Sequence, residues 1–304
     1  MTNQNLAFSA SKEVSRLRSF VAVYAESRTA IVGLVLLIVI VVAALLAPLI
    51  APQNPYDLAK LDILDARLPP GARSGDGTMI YLLGSDGQGR DMLSAMLYGL
   101  RISIVIGICA TALAAALGLS LGLVAGYAGG RTEALVMRLA DIQLSFPAIL
   151  IALILLVFLR PGVGNIVIAL VAVQWAYYAR TVRGAALVEM KKDYIEAARG
   201  LGLSSARIVF SHLLPNCLPP LVVVGALQIA SAISLEATLS FLGLGVPITE
   251  PSLGLLIANG FQTLFAGTYW ISVFPGLALL ATIVAINLVA DRLRDVLNPR
   301  LQAR

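Results

Sequence analysis

Six apolar runs separated by polar segments set the layout of this 304-residue chain. The first, Thr29 to Ile50, holds 22 residues without a charge. As a helix it is long enough to cross about 30 Å of hydrocarbon. The others fall at about 102–124, 139–159, 165–178, 217–242 and 270–289. A cleaved signal would have a shorter apolar region and leader, so the first run reads as an uncleaved span. The pattern predicts an all-α polytopic membrane protein with six transmembrane helices. Its parts are a polar tail over 1–28, the first helix over 29–50, a linker over 51–97, a five-helix core over 98–291 and a tail over 292–304. Residues 1 to about 12 read as disordered. The fourth run is marginally short, and Pro147 lies inside the third. The glycine-rich stretch 243–268 reads as a loop carrying a short re-entrant or interfacial helix near 253–264.

The long polar interruption in the second half, 189–216, reads differently from a plain loop. Tyr194, Ala197, Ala198 and Leu201 recur at i, i+3, i+4, i+7, which makes one small apolar helix face. Lys192 with Glu196, and Glu196 with Arg199, are spaced to pair on the polar side. Gly200 and Gly202 then stop the helix, and Ser204 or Ser205 caps a second short helix ending at Pro215. Such a helix–glycine–helix unit suits docking into a partner's groove. An ordinary loop, held on one side of the membrane by its charge, is the plainer reading.

Composition supports the membrane assignment. The chain is 59% hydrophobic and 13% charged, with mean hydropathy +0.88, whereas soluble domains carry about 25% charged residues. The net charge of +5 does not indicate nucleic acid, because the basic residues lie between spans. Of the 22 lysines and arginines, 16 fall on one side of the proposed layout and 6 on the other. The positive-inside rule then places both termini and the 189–216 loop in the cytoplasm. The acids of the linker, Asp57, Asp62, Asp65, Asp76, Asp86 and Asp91, suit the opposite side.

Catalytic chemistry finds little support. No lysine follows a glycine, so the phosphate-loop pattern is absent, and there is one histidine. No metal or cofactor site is expected, and Cys109 and Cys217 read as small core residues. Acids inside spans are costly and face the bundle interior or a water-filled path. Asp141 either lines such a path or pairs with Arg138 at the interface, and Glu236 either lines it or bonds neighbouring helices. Gln174, Gln228, Asn259 and Asn287 are further lining candidates, each also suited to helix–helix hydrogen bonds. Gly118 and Gly122 form a Gly-x-x-x-Gly, read as helix packing rather than a dedicated dimer face.

Four motifs, in order, carry a family resemblance. Glu196, Ala197, Ala198, Gly202, Leu214 and Pro215 match the spacing of the EAA loop of bacterial ABC-importer permeases, with His212 in place of isoleucine as in the peptide branch. Leu83 to Ile104 resembles a segment of the C-type permease of peptide and nickel importers, with Ser85 for threonine and Ala95 for arginine. Glu236 to Gly245 resembles the family's Glu-Ala-x-Leu-Ser-Phe-Leu-Gly-Leu-Gly. The ending resembles the family's Phe-Pro-Gly helix and Leu-Arg-Asp-x-Leu-Asp-Pro-Arg, with Asn298 for aspartate. Leu253 stands where tryptophan is usual.

The resemblance implies the permease subunit of an ABC importer of the dipeptide, oligopeptide or nickel type, with the type I importer fold and a cytoplasmic coupling helix. It implies a multi-pass protein of the bacterial inner membrane. The implied partners are a second, B-type permease, two ABC ATPase subunits that hydrolyse ATP, and an extracytoplasmic solute-binding protein. Tyr194 and the six loop residues above would meet the ATPase. Peptides are the expected substrate, with nickel or another small solute as the alternative. An ion-coupled secondary transporter is a rival reading, but the chain shows no inverted repeat.

Overall fold

The computed structural model describes residues 22–57 and 61–297. The expected disorder of the first dozen residues, and Asn298 with the rest of the tail, lie outside the described residues. Nine helices of eight or more residues are described: α1 Arg28–Leu45, α2 Met92–Ala128, α3 Gly130–Leu144, α4 Ala148–Leu159, α5 Val163–Glu189, α6 Asp193–Gly200, α7 Leu214–Phe241, α8 Leu253–Phe261 and α9 Trp270–Leu297. A small hairpin pairs β1 Ala72–Arg73 with β2 Ile80–Tyr81.

Among the described residues, four stretches are long and apolar enough to cross a membrane: α1, α2, Ser205–Phe241 and α9. α3 and α4 make a fifth if taken as one span bent by 91°. The bend falls at Ser145–Pro147, where proline cannot donate a backbone hydrogen bond. The third run is therefore a broken helix rather than a straight one. α5 is not in that count; its 27 residues run well past the expected 165–178 and carry Arg180 and Arg183 in the second half.

Other boundaries shift for identifiable reasons. α2 starts at Met92 because the Asp91 carboxylate accepts from Ser94 N at 2.7 Å as an N-cap, so the linker ends before 97. Pro219 and Pro220 lie inside α7 rather than ahead of it. A π turn at Val209–Leu213 precedes them and continues a helical stretch from Ser205. α9 continues to Leu297, into the expected tail. α8 forms where a short helix was expected, and its Leu253–Leu256 stretch is buried within the protein.

α2 and α5 form the central pair. Gly118, Gly122 and Gly126 present one face of α2 to α5; a Cβ on Gly122 would sit 2.7 Å from Ala179 O, and one on Gly126 2.7 Å from Ala186 Cβ. The glycine motif is thus an intrachain packing face. α4, α7 and α8 pack around this pair, and α1 lies along α9, where Gly33 meets Leu288. At one end, Gly162 N donates to Gly245 O at 3.1 Å and Trp270 Nε1 to Ser85 O at 3.1 Å. That end also holds a buried polar lobe, in which Arg90 Nη2 reaches Ile248 O at 3.0 Å and Tyr81 OH reaches Asp65 at 2.9 Å. Burial pushes the Asp86 and Asp91 carboxyls up and Arg90 down. The 189–216 loop closes the opposite end.

Candidate functional site: the loop between α5 and α7

α5 ends at Glu189, and the chain turns directly into α6. Glu189 ties the turn together: Lys192 Nζ lies 2.6 Å from Oε1, and Tyr194 OH donates to Oε2 at 2.5 Å. Asn216 Nδ2, at the start of α7, donates to Tyr194 OH at 3.2 Å and to His212 O at 2.7 Å. The Tyr194 and His212 rings meet edge-on, centroids 6.1 Å apart. One side-chain network therefore joins the end of α5, the start of α6 and the start of α7. Burial and the Glu189 carboxylate push the Tyr194 hydroxyl up to about 12. Burial alone would raise Glu189, but its bonds to Lys192 and Tyr194, with the Lys192 charge, outweigh this and hold it below 4.5.

The expected pairs on the polar side do not form. Lys192 is the residue ahead of α6, in extended backbone, so it cannot reach Glu196 across a helical turn and binds Glu189 instead. Arg199 points to Met190 Sδ at 3.6 Å rather than to Glu196. The apolar face also divides. Ile195 and Ala198 are buried against Val182, Ala186, Ile208, Leu213 and Cys217, anchoring α6 to the bundle. Tyr194, Ala197 and Leu201 stay exposed on the other side, Leu201 at 80%. The sequence pattern missed Ile195 because the i, i+3, i+4, i+7 set was phased on its neighbour Tyr194.

Gly202 ends the unit. Its φ of +73° is left-handed. Leu203 N donates to Ala198 O at 3.1 Å and Gly202 N to Arg199 O at 2.9 Å, the bond pair of a Schellman motif. Gly200 is helical rather than a stop. Ser204, not Ser205, caps the following turn, accepting from Arg207 N at 3.4 Å. Leu214 and Pro215 open α7, Leu214 half-buried and Pro215 exposed.

Among the candidate polar residues, Asp141, Glu236 and Gln174 meet protein partners through their side chains. Asp141 pairs with Arg180 of α5 at 2.5 Å, not with Arg138; the cation across the interface outcompetes the one on its own helix. Glu133 and Arg183 form a second pair between α3 and α5, with Nε at 2.8 Å. Glu236 is fully buried and accepts from Ser103 Oγ at 2.7 Å and Ser240 Oγ at 2.8 Å. Gln174 is buried and donates to Gln228 O at 3.1 Å. Asn259 and Asn287 are half-buried on α8 and α9. Of these residues, the structure brings only Gln174 and Gln228 together directly. An unforeseen feature is the exposed stripe Ser231, Ser234 and Thr238 on α7, at i, i+3, i+7; that spacing was legible in the sequence.

Comparison with known proteins accounts for this arrangement. Residues 118–303 match the family described as binding-protein-dependent transport system inner membrane component. Residues 15–70 match the N-terminal TM domain of oligopeptide transport permease C. The chain is 40% identical to the dipeptide transport system permease protein DppC of Escherichia coli (strain K12) over 300 residues, 98% of each chain. It is 38% identical to the di/tripeptide transport system permease protein DppC of Pseudomonas aeruginosa (strain UCBPP-PA14) over 288 residues, 95% of this chain and 93% of that one. Its fold resembles a chain of the inward-facing MetNI methionine ABC transporter, with TM-score 0.56 and 22% identity over 67% of this chain and 97% of that one. With a family match over more than half its length and a near-full-length relative, the chain belongs to the family of binding-protein-dependent transport system inner membrane components.

Proposed function

We propose that this chain is a permease subunit of an ATP-driven importer that carries di- and oligopeptides across the bacterial inner membrane. The observation that carries the substrate class is the near-full-length 40% identity to a dipeptide permease. The chain contributes half the path and one coupling helix, and ATP is hydrolysed on partner chains. Its partners are a B-type permease, two ABC ATPase subunits and an extracytoplasmic solute-binding protein. Both termini lie in the cytoplasm, as the 16-to-6 division of basic residues supports.

In this reading α6 receives the ATPase stroke. Tyr194, Ala197 and Leu201, with Glu196 and Gly202, form the surface that meets it, because they are the exposed part of the loop's face. Ala198 and the half-buried Leu214 anchor that surface to the bundle, and Pro215 opens the helix that follows. The network through Glu189, Tyr194 and Asn216 passes displacement of α6 to both α5 and α7. Alternating access follows from the rocking of those helices. Ser231, Ser234 and Thr238 face the path, since hydroxyls on an exposed helix face are ill suited to lipid. Glu236, Gln174 and Asp141 shape it from behind through bonds to neighbouring helices, and Gln228 and Asn287 lie beside it. Cysteines at 231, 234 and 238 then react with a membrane-impermeant thiol reagent in the assembled transporter; protection in every state contradicts that lining.

The coupling role is tested by co-purification. Ala197→Asp and Leu201→Asp place a charge on the exposed face without disturbing the anchor at Ala198. Both variants keep the permease folded but lose the ATPase subunits. Retained ATPase subunits and undiminished uptake in both would overturn the assignment.

A further inference from the structure

Gln174 of α5 and Gln228 of α7 meet at mid-bundle with their hydrogen bonding half complete. Gln174 Nε2 donates to the main-chain O of Gln228 at 3.1 Å. Gln174 Oε1 and Gln228 Nε2 are both enclosed and both unpaired. One is an acceptor and the other a donor. Exchanging O and N in either amide does not help: in Gln174 it would set oxygen against oxygen, and in Gln228 it would bury an acceptor in place of the donor. One turn along α5, the buried Tyr178 hydroxyl adjoins the Thr111 hydroxyl of α2, its nearest polar neighbour. Unpaired polar atoms within a membrane protein's core are costly, so this seam is poorly satisfied in the state described.

The two sides of the seam differ in rigidity. α5 is locked to α2 through the glycine face and to α3 by Arg180–Asp141 and Arg183–Glu133. α7 is entered through a π turn and carries Pro219 and Pro220, so its first turns lack backbone donors. α7 is therefore the element freer to turn against α5. The Gln174–Gln228 contact already spans that interface.

We propose that Gln174 and Gln228 form a conformational latch: the two unpaired amide atoms bond to each other in the opposite state of the transport cycle, when α7 turns against α5. Both are positioning residues. The proposal rests on the reading of this chain as part of an ATP-driven permease. In the other state the latch satisfies what this state leaves open, and so biases the equilibrium between the two states.

The test is the thermal stability of the complete transporter in nanodiscs, without nucleotide and locked with a non-hydrolysable ATP analogue. In wild type the two states differ in melting temperature. Gln228→Leu, whose side chain gives up no bond in the described state, lowers the melting temperature of the other state only. Gln174→Leu also loses its bond to Gln228 O and lowers both, the other state more. In that other state the double variant is no worse than Gln174→Leu, because both remove the same bond. Equal losses in both states mark a merely structural pair and overturn the latch, as do additive losses. If one variant fails to assemble, Gln174→Met and Gln228→Met are read in the same way. Hydroxyl-radical footprinting supplies an independent check. Labelling of Tyr178 in both states, well above that of buried Tyr81, marks a permanent water site and overturns the proposal. A wild type whose melting temperature ignores nucleotide overturns the ATP-driven reading, and the latch with it.

Discussion

The Tyr194 hydroxyl donates to the Glu189 carboxylate at 2.5 Å and accepts from Asn216 at 3.2 Å. A single phenol thus joins α5, α6 and α7. Tyr194→Phe removes both bonds and keeps the ring against His212. A net loss of about 1 kcal/mol per bond is expected. Uptake should fall more steeply than ATPase activity, because docking survives while transmission weakens. Parallel measurement of ATP hydrolysis and uptake checks this; an unchanged ratio of transport to hydrolysis contradicts it.

Glu189 gives the loop a pH dependence of definite sign. Its folded-state value is held below 4.5, chiefly against burial, by Lys192 and Tyr194. A depressed carboxylate stabilises the fold above its unfolded value. That contribution is lost as pH falls from about 4.5 through the lower folded value. Glu189→Gln should flatten the acid limb of a melting-temperature profile between pH 6 and 3. A limb of unaltered slope contradicts the assignment.

At Gly202 the effect is conformational rather than steric. A Cβ there meets nothing within 4 Å, but φ is +73°. Gly202→Ala costs about 1–2 kcal/mol and loosens the turn after α6. Gly202→Asn, which tolerates left-handed backbone, is milder. Thermal melts of the assembled complex separate the two; equal stability of all three sequences contradicts the Schellman stop.

On the glycine face of α2 the reverse holds. Gly122→Val forces atoms against Ala179 O and Val182, so the permease fails to reach the membrane intact. Gly184→Ala, where nothing lies within 4 Å, is neutral. Expression and detergent-extracted monodispersity are the readouts, and a well-behaved Gly122→Val contradicts the close approach.

Glu236 is held by Ser103 and Ser240 with no opposing cation among its hydrogen-bond partners. Glu236→Gln keeps both contacts, with one serine hydroxyl turning to accept from the new amide, and should assemble. Glu236→Lys buries an unpaired cation and should cost several kcal/mol. Equal membrane yields for the two variants contradict the buried placement.

Much of this architecture was legible because membrane spans are written in long apolar runs. Thr29–Ile50 and 270–289 could hardly be anything else. Gly202 and the short helix near 253 were also legible, since glycine and capping serine act locally. What was hidden depended on partners distant in sequence. Arg180 lies 39 residues from Asp141, and Ser103 lies 133 residues from Glu236. No periodicity announces such pairs. The bend between α3 and α4 and the passage of α7 through Pro219 and Pro220 were hidden for another reason: proline breaks or bends a helix according to whether neighbouring turns can absorb it. The split of the α6 face, with Ala198 inward and Ala197 outward, depends on which side the bundle covers.

The most direct measurement is uptake into proteoliposomes holding the complete transporter and its solute-binding protein, supplied with ATP and offered di-, tri- and longer peptides or chelated nickel. The account predicts ATP-dependent accumulation of peptides, abolished by Leu201→Asp in this chain. Accumulation of nickel chelate without peptide would contradict the substrate class, and peptide uptake that ignores ATP would contradict the mechanism itself.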